Sequence, residues 1–323
     1  MYKLIEYNKK LETIWNEFIN NSNQGTFLHS RRYLNYHKDK FIDKSLLVEE
    51  NNKIIAIFPS AICNSNSKLI VSHPGITYGG LIFKKNIGCE NVEKIISLIL
   101  DFYFDSGFNE VIYKAIPFIY HEIPSQEDIY FLNRIGAINY RTDLSCSIDL
   151  TKKISLSKQR SRSLRNANRF SLRLDNNQED LENCWKILET NLKEKHNTKP
   201  VHNICEMKKL LELFPNNISC VSTKLNTNIL ASIILYKTKT VWHLQYISSS
   251  EEGKKTNALD FLINKLIEDS AIDKIRWFDF GISTKCEGKY LNHNLYNFKN
   301  GFGGGGTLYQ FYKIKKTNYL KTI

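Results

Sequence analysis

Apolar positions along this chain follow two rhythms, and the switch from one to the other marks out its elements. Across residues 11–18 the side chains of Ile14, Trp15 and Phe18 return at helical spacing, which predicts a helix packed on one face. TFLHSRRYLNYHK predicts a second helix. Two strand-like runs follow, SLLVEE and KIIAIFPSAIC, with Asn51 and Asn52 between them as a hairpin turn. SKLIVSHPGITYGGLIF would be one long apolar run but for Pro74, Gly75, Gly79 and Gly80, so it reads as strand, close-fitting loop, strand. NVEKIISLILDFYFDSG then predicts a helix, EVIYKAIP a strand, DIYFLNRIGAINYR a helix, and DLSCSIDL a strand.

The second half repeats this grammar. SLSKQRSRSLRNANRF, EDLENCWKILETNLKEKH and CEMKKLLELFP predict helices, and ISCVSTKL, NILASIILYK and TVWHLQYIS predict a three-stranded meander with polar turns. NALDFLINKLIEDSAID predicts an amphipathic helix, IRWFDFG a strand, and TLYQFYKIK a closing strand after a glycine-rich loop. The expected fold is α/β, more strictly α+β: two tandem domains, each a mixed, mostly antiparallel sheet flanked by helices. The boundary is expected near residues 149–157, giving domains 1–150 and 151–323.

Length agrees, since 323 residues suffice for two cores of about 150 residues each. No apolar run approaches the roughly 20 residues of a membrane helix, and the first residues lack a signal-peptide pattern, so a cytoplasmic protein is expected. Seven scattered cysteines, never in a CxxC pair, predict reduced thiols and no metal site. The net charge of +12 would favour an anionic partner such as a nucleotide, CoA, tRNA or a membrane surface. The abundance of Lys, Asn and Ile expected of an AT-rich genome accounts for it equally well.

Candidate chemistry gathers in the last fifty residues. Asp279, between Phe278 and Phe280, precedes Gly281, Ser283 and Thr284, which places a carboxylate at a strand end where clefts form. A buried aspartate capping the next loop is the alternative. Lys299 stands just ahead of Gly301, Gly303, Gly304, Gly305 and Gly306, a cation beside an amide-rich loop suited to a phosphate, carboxylate or developing oxyanion. A plain hairpin would read the same way. Arg162, Arg165 and Arg169 give one helix face a basic stripe, suited to phosphates or simply solvated and paired with acidic neighbours.

Histidines supply candidate bases. His196 and His202, with Glu194 before them, fall in a loop expected to overhang a cleft, and His73 lies in the glycine-flanked loop. Each has a bland reading as an exposed side chain. His243 and Gln245 alternate on the third meander strand and share a face.

The order DFGIS…G…LN…FK…GFGG over residues 279–304 resembles FemAB-like proteins of the GNAT acyltransferase superfamily and their sugar-acetyltransferase relatives. SHPGITYGG, with His73, Pro74, Gly75, Tyr78, Gly79 and Gly80, resembles the matching loop of their first domain. The similarity covers most of the chain and is strongest over residues 72–81 and 245–302. It implies twin GNAT-like domains, with a splayed pair of parallel strands in the second that receives an acyl donor. It also implies a donor pyrophosphate on the helix start after the meander, at Gly253, Lys254, Lys255, Thr256 and Asn257, with Gln245 on the preceding strand. The usual Gln/Arg-x-x-Gly-x-Gly/Ala signature is not cleanly matched there.

By the same resemblance Asp279, Lys299 and His73 would be catalytic. Tyr78, Gly79, Glu194, His196, His202, Ser283, Asn292, Gly301 and Gly303 would bind substrate. The implied reaction is acetyl-CoA-dependent N- or O-acetylation of a sugar, sugar nucleotide or lipid-linked sugar in surface-polysaccharide biosynthesis, without a metal, with possible peripheral membrane contact. One alternative is a Fem-type aminoacyl-tRNA-dependent peptidoglycan aminoacyltransferase, although the long charged heptad segment that some of these carry for tRNA is missing. A second is a non-catalytic binding protein with a decayed site.

Overall fold

A computed structural model describes residues 2–319, apart from the side chains of residues 38, 39, 195 and 196. The chain divides into two compact units. Unit 1 holds residues 1–144, 284–290 and 308–323, and unit 2 holds residues 145–283 and 291–307.

Unit 1 contains β1 (Tyr2–Glu6), α1 (Glu12–Asn21), α2 (Arg31–Leu34), β2 (Leu46–Glu50), β3 (Lys53–Phe58), β4 (Ala61–Cys63), β5 (Asn66–Val71), β6 (Ile82–Phe83), α3 (Cys89–Asp105), β7 (Glu110–Lys114) and α4 (Glu127–Arg134). Asn51 and Asn52 both take positive φ, 51° and 59°, the geometry that matches a tight turn to strand twist, so β2 and β3 form the expected hairpin. The expected strand over residues 53–63 is two strands. Ser60 interrupts it, its Oγ donating to Lys44 O and its N–H donating to the Ser45 hydroxyl. β3 then joins the sheet β1-β2-β3-β6, and β4 pairs instead with β5, which runs parallel to β7.

Against these strands α3 buries Val92, Ile95, Ile96, Ile99, Leu100, Tyr103 and Phe104, spacings that fill one helical face. The helix expected over residues 128–141 stops at Arg134, because Gly136 turns the chain with φ 81°, and a strand starts at Ile138.

That strand, β8 (Ile138–Asp149), carries the chain out of unit 1 after Leu144. Unit 2 continues with α5 (Lys158–Ala167), β9 (Arg173–Asp175), α6 (Leu181–His196), α7 (Ile204–Leu213), β10 (Ile218–Leu225), β11 (Asn228–Lys237), β12 (Val241–Ser249), α8 (Glu251–Thr256), α9 (Ala258–Ile272) and β13 (Trp277–Ile282). After the short β14 (Thr284–Lys285) and β15 (Tyr290–Leu291) comes α10 (His293–Asn300). β16 (Gly305–Lys315) begins in unit 2 and ends in unit 1, antiparallel to β7. A single cut at residue 150 would have left this last strand with the second domain.

In unit 2 the strands run β8-β13-β12-β11-β10-β9, all antiparallel except β12 with β13. Leu262, Ile263, Leu266 and Ile267 of α9 bury against Ala231, Ile233, Leu235, Leu244, Phe278 and Phe280 of the sheet. The mixed, mostly antiparallel sheet with flanking helices is the architecture expected from the sequence.

Unit 1 also buries His29, His73 and His121. Burial holds all three imidazoles below their ordinary value, His29 to about 3 and His121 to about 4, and His37 and Lys114 push His73 down further. Because the folded values lie under the unfolded one, their stabilisation is complete above pH 6.5 and is lost as pH falls toward 4. Asp128, raised by burial to about 6, works the other way below that pH. Three against one predicts an unfolding free energy, and with it a urea midpoint, that falls between pH 6.5 and 5, the free energy by about 1.4 kcal/mol per histidine per pH unit at most. A midpoint flat across that range would contradict the burial of neutral imidazoles.

Candidate active site

A carboxylate inside a sheet must be satisfied by hydrogen bonds, and Asp279 is. It is 0% exposed, and its Oδ1 accepts from Ser145 Oγ at 2.6 Å and Ser147 Oγ at 2.7 Å. Its Oδ2 lies 2.6 Å from His243 Nδ1. The register explains the convergence, since Asp279 pairs with Ser147 of β8 on one side and with His243 of β12 on the other. Burial pushes the carboxyl up, but the bond and charge of His243, followed by the two serines, outweigh it and hold Asp279 below its ordinary value. An ionised carboxylate only accepts, so Nδ1 of His243 carries the proton of this bond, and in the neutral form of the ring Nε2 is the basic nitrogen. Nε2 has no protein partner among the described residues, and the His243 side chain is 14% exposed.

His243 also marks the point where β12 and β13 part. The two pair only at Val241–Trp277, Trp242–Phe278 and His243–Asp279, and both continue unpaired with each other beyond. Two local features open this splay. The β11 register slips between Leu244 and Tyr246, making Gln245 a bulge, and Gly281 takes φ 74° on β13. A Cβ at Gly281 would stand 3.3 Å from His243 Cε1, so glycine leaves the imidazole edge uncovered.

Lys299, from α10, is 3% exposed and donates to Gly281 O at 2.7 Å and Ile282 O at 2.8 Å. Burial lowers it to about 8, with Asp279 and the Cys146 thiol pulling the other way. Its ammonium ties down the free end of β13.

A cavity of about 420 Å³ occupies unit 2, and part of its wall is Ile247, Ser248 and Ser249, the half of β12 that β13 leaves. Leu188 and Leu192 of α6, Leu259 of α9, and Leu295 and Phe298 of α10 make it largely apolar. Arg160 of α5 and Asp260 of α9 enter as a buried ion pair, 2.5 Å apart, with the guanidinium 4.8 Å from the Phe298 ring. Both belong to the wall.

The residues of the expected pyrophosphate site fall in and just after the short helix α8. Gly253, Lys254 and Asn257 do line the cavity. Gly253 has a packing reason as well, since a Cβ there would stand 2.0 Å from Leu230 O of β11. Its N–H is occupied by Ser250 Oγ, Lys254 pairs with Glu251, and Thr256 Oγ1 bonds back to Glu252 O. Asn257 takes φ 56° and accepts from Asn166. Lys255 is exposed, and its carbonyl also accepts from Asn166. The first turn carries Glu251 and Glu252, two carboxylates where an anion was expected.

His73, Tyr78 and Gly79 belong to unit 1, within a buried polar cluster of its own. Lys114 Nζ donates to His73 O and Ile76 O, and His37 bonds Gly75 O, so the loop is folded on itself. A Cβ at Gly79 would meet Ser72 O at 2.0 Å. Tyr78 is buried against Tyr120 with ring centroids 4.4 Å apart.

In unit 2, Glu194 is exposed on α6, and the side chain of His196 lies outside the described residues. His202 Nδ1 lies 2.7 Å from the Tyr246 hydroxyl. Asn292 caps α10 through Leu295 N, while Ser283 Oγ is buried with no partner among the described residues. Gly301 makes room for the Arg160 stem and Ser157, and Gly303, with φ 97°, for Ile154. The glycine loop therefore clears a path for the chain entering α5. His243 is the residue that sequence reasoning passed over. Its shared face with Gln245 was visible, but its register with Asp279 arises from parallel pairing across 36 residues.

These clearances are testable by substitution. Gly253→Ala and Gly304→Ala, which brings a Cβ to 2.8 Å from Cys146 Sγ, are expected to lower stability by about 1–3 kcal/mol. Gly305→Ala, with nothing within 4 Å, is expected to stay within about 0.5 kcal/mol of the parent in urea unfolding. Equal losses at Gly304 and Gly305 would contradict the packing described.

Comparison with known proteins is consistent with this geometry. Residues 154–299 match the family model of an acetyltransferase (GNAT) domain. A sequence search of curated proteins finds no match. Among solved structures, FemX superposes with TM-score 0.69 at 8% identity, over 99% of this chain and 98% of its own. The C-terminal domain of a putative lysylphosphatidylglycerol synthetase from Agrobacterium fabrum gives 0.62 at 11% identity, over 97% and 93%. A tandem GNAT protein from the clavulanic acid biosynthesis pathway gives 0.52 at 8%, over 98% of both chains. Residues 154–299 thus match the acetyltransferase (GNAT) domain model, in a chain that shares its fold with FemX and the tandem GNAT protein.

Proposed function

We propose that unit 2 transfers an acyl group from a donor lying along the open half of β12 to an acceptor amine or hydroxyl, with His243 as base and Asp279 as its positioning residue. The observation that carries this reading is the Asp279–His243 pair at the apex of the splay. From Ser249 back to His243 the strand spans about 20 Å, so a donor arm following it brings its reacting end toward the free Nε2. The acceptor attacks the donor carbonyl, its proton passes to His243 Nε2, the acyl bond to the carrier breaks, and the imidazolium returns the proton to the leaving group. Amides on the edge of β12 that β13 leaves unpaired supply donors for the oxyanion. Lys299 acts as a positioning residue by fixing the end of β13.

The donor in this reading is acetyl-CoA and the acceptor a sugar, sugar nucleotide or lipid-linked sugar of the cell surface. One observation favours the aminoacyl-tRNA alternative. Glu251 and Glu252 occupy the first turn of α8, where a CoA pyrophosphate would sit, and like charge disfavours it there.

Release of free CoA on incubation with acetyl-CoA and amino sugars or their nucleotides supports the first donor. Turnover only with charged tRNA replaces it. With whichever donor is active, His243→Gln is expected to lower kcat by about 10²–10⁴-fold with donor KM little changed, in a protein that unfolds like the parent. Full activity of that variant would remove His243 as base.

A further inference from the structure

The segment 151–174 carries three lysines and five arginines and no acidic residue. The arginines are informative against the composition of the chain, which has 35 lysines and only 10 arginines. Half of all its arginines, Arg160, Arg162, Arg165, Arg169 and Arg173, fall within fourteen residues. A lysine-rich codon bias would not concentrate them, whereas a need for guanidinium forks that bind phosphate oxygens in pairs would.

The structure separates one of the five from the rest. Arg160 turns inward to Asp260, while Arg162, Arg165, Arg169 and Arg173 are exposed and pair with no carboxylate among the described residues. Lys152, Lys153 and Lys158 are exposed beside them. Two apolar side chains stand out of the same segment, Phe170 at 38% and Leu174 at 37% exposure. The patch adjoins the cavity, since Arg160 on the same helix forms part of its wall and Asn166 bonds α5 to Lys255 and Asn257 beside α8.

We propose that this face of unit 2, from Lys152 through α5 to Leu174, adsorbs to an anionic lipid bilayer and presents the cavity mouth to it. Guanidinium groups bind lipid phosphates, and Phe170 and Leu174 enter the headgroup boundary, the paired electrostatic and apolar signals that peripheral adsorption requires. A nucleic acid is the less fitting partner, because the strip offers a single aromatic for base stacking and an aliphatic side chain has no use there. The acyl-transfer reading supplies only the purpose of the location, and adsorption is measured without turnover.

The test is flotation of the full chain with vesicles of phosphatidylcholine alone or mixed with phosphatidylglycerol, alongside a tRNA retention assay. The expected result is binding to the mixed vesicles only, weakened by salt. Arg162→Glu, Arg165→Glu and Arg169→Glu together should reduce partitioning by about tenfold or more, with unfolding unchanged. Phe170→Ser with Leu174→Ser should reduce it with every charge intact. No binding to mixed vesicles, or binding that survives the charge reversals, overturns the proposal. Retention of tRNA that the reversals abolish, without vesicle binding, reassigns the strip to RNA and overturns it equally. Loss of acyl transfer with adsorption retained would count against the functional reading alone.

Discussion

Unit 2 is organised around the satisfaction of one buried negative charge. Asp279 sits fully inside the sheet, where an unpaired carboxylate would cost several kcal/mol, and its partners come from both neighbouring strands. Two serines on β8 hold one oxygen and His243 on β12 holds the other. The same three strands thereby fix the last ladder pair before β12 and β13 separate. Imidazole orientation and strand geometry are then one arrangement, because the residue that steers the imidazole also closes the paired part of the sheet.

Everything beyond that pair serves to keep the strands apart. Gln245 bulges out of the β11 ladder, Gly281 turns β13 away, and Lys299 binds two successive carbonyls at its end. Lysine burial is costly, as its lowered value near 8 shows, and two carbonyl bonds plus the proximity of Asp279 offset part of that cost. The glycine run has the same character. Gly301, Gly303 and Gly304 clear van der Waals space for Arg160, Ile154 and Cys146, so a loop that suggested ligand binding is in large part packing.

Much of the fold was legible because its strands and long helices carry strong periods. β10 and β11 coincide with the runs ISCVSTKL and NILASIILYK, and α9 with the amphipathic stretch around Leu262 and Leu266. What escaped was short or polar. β1 and β9 are five and three residues long, and α8 and α10 are built from EEGKKT and HNLYNFKN, whose helical character rests on caps from Ser250 and Asn292. In the site, Asp279 drew attention through its aromatic flanks and glycine. His243 looked like any strand residue, since nothing in spacing shows which distant strand lies alongside in parallel.

The central claim is that Asp279 sets the tautomer of His243 and leaves Nε2 free for the acceptor proton. Nitrogen-15 NMR of the imidazoles, with His243 assigned by substitution, reads this directly. The account predicts that the neutral form of His243 carries its proton at Nδ1 in the parent, and is a mixture of tautomers in Asp279→Asn. A His243 protonated at Nε2 in the parent, or one indifferent to Asp279→Asn, would contradict it.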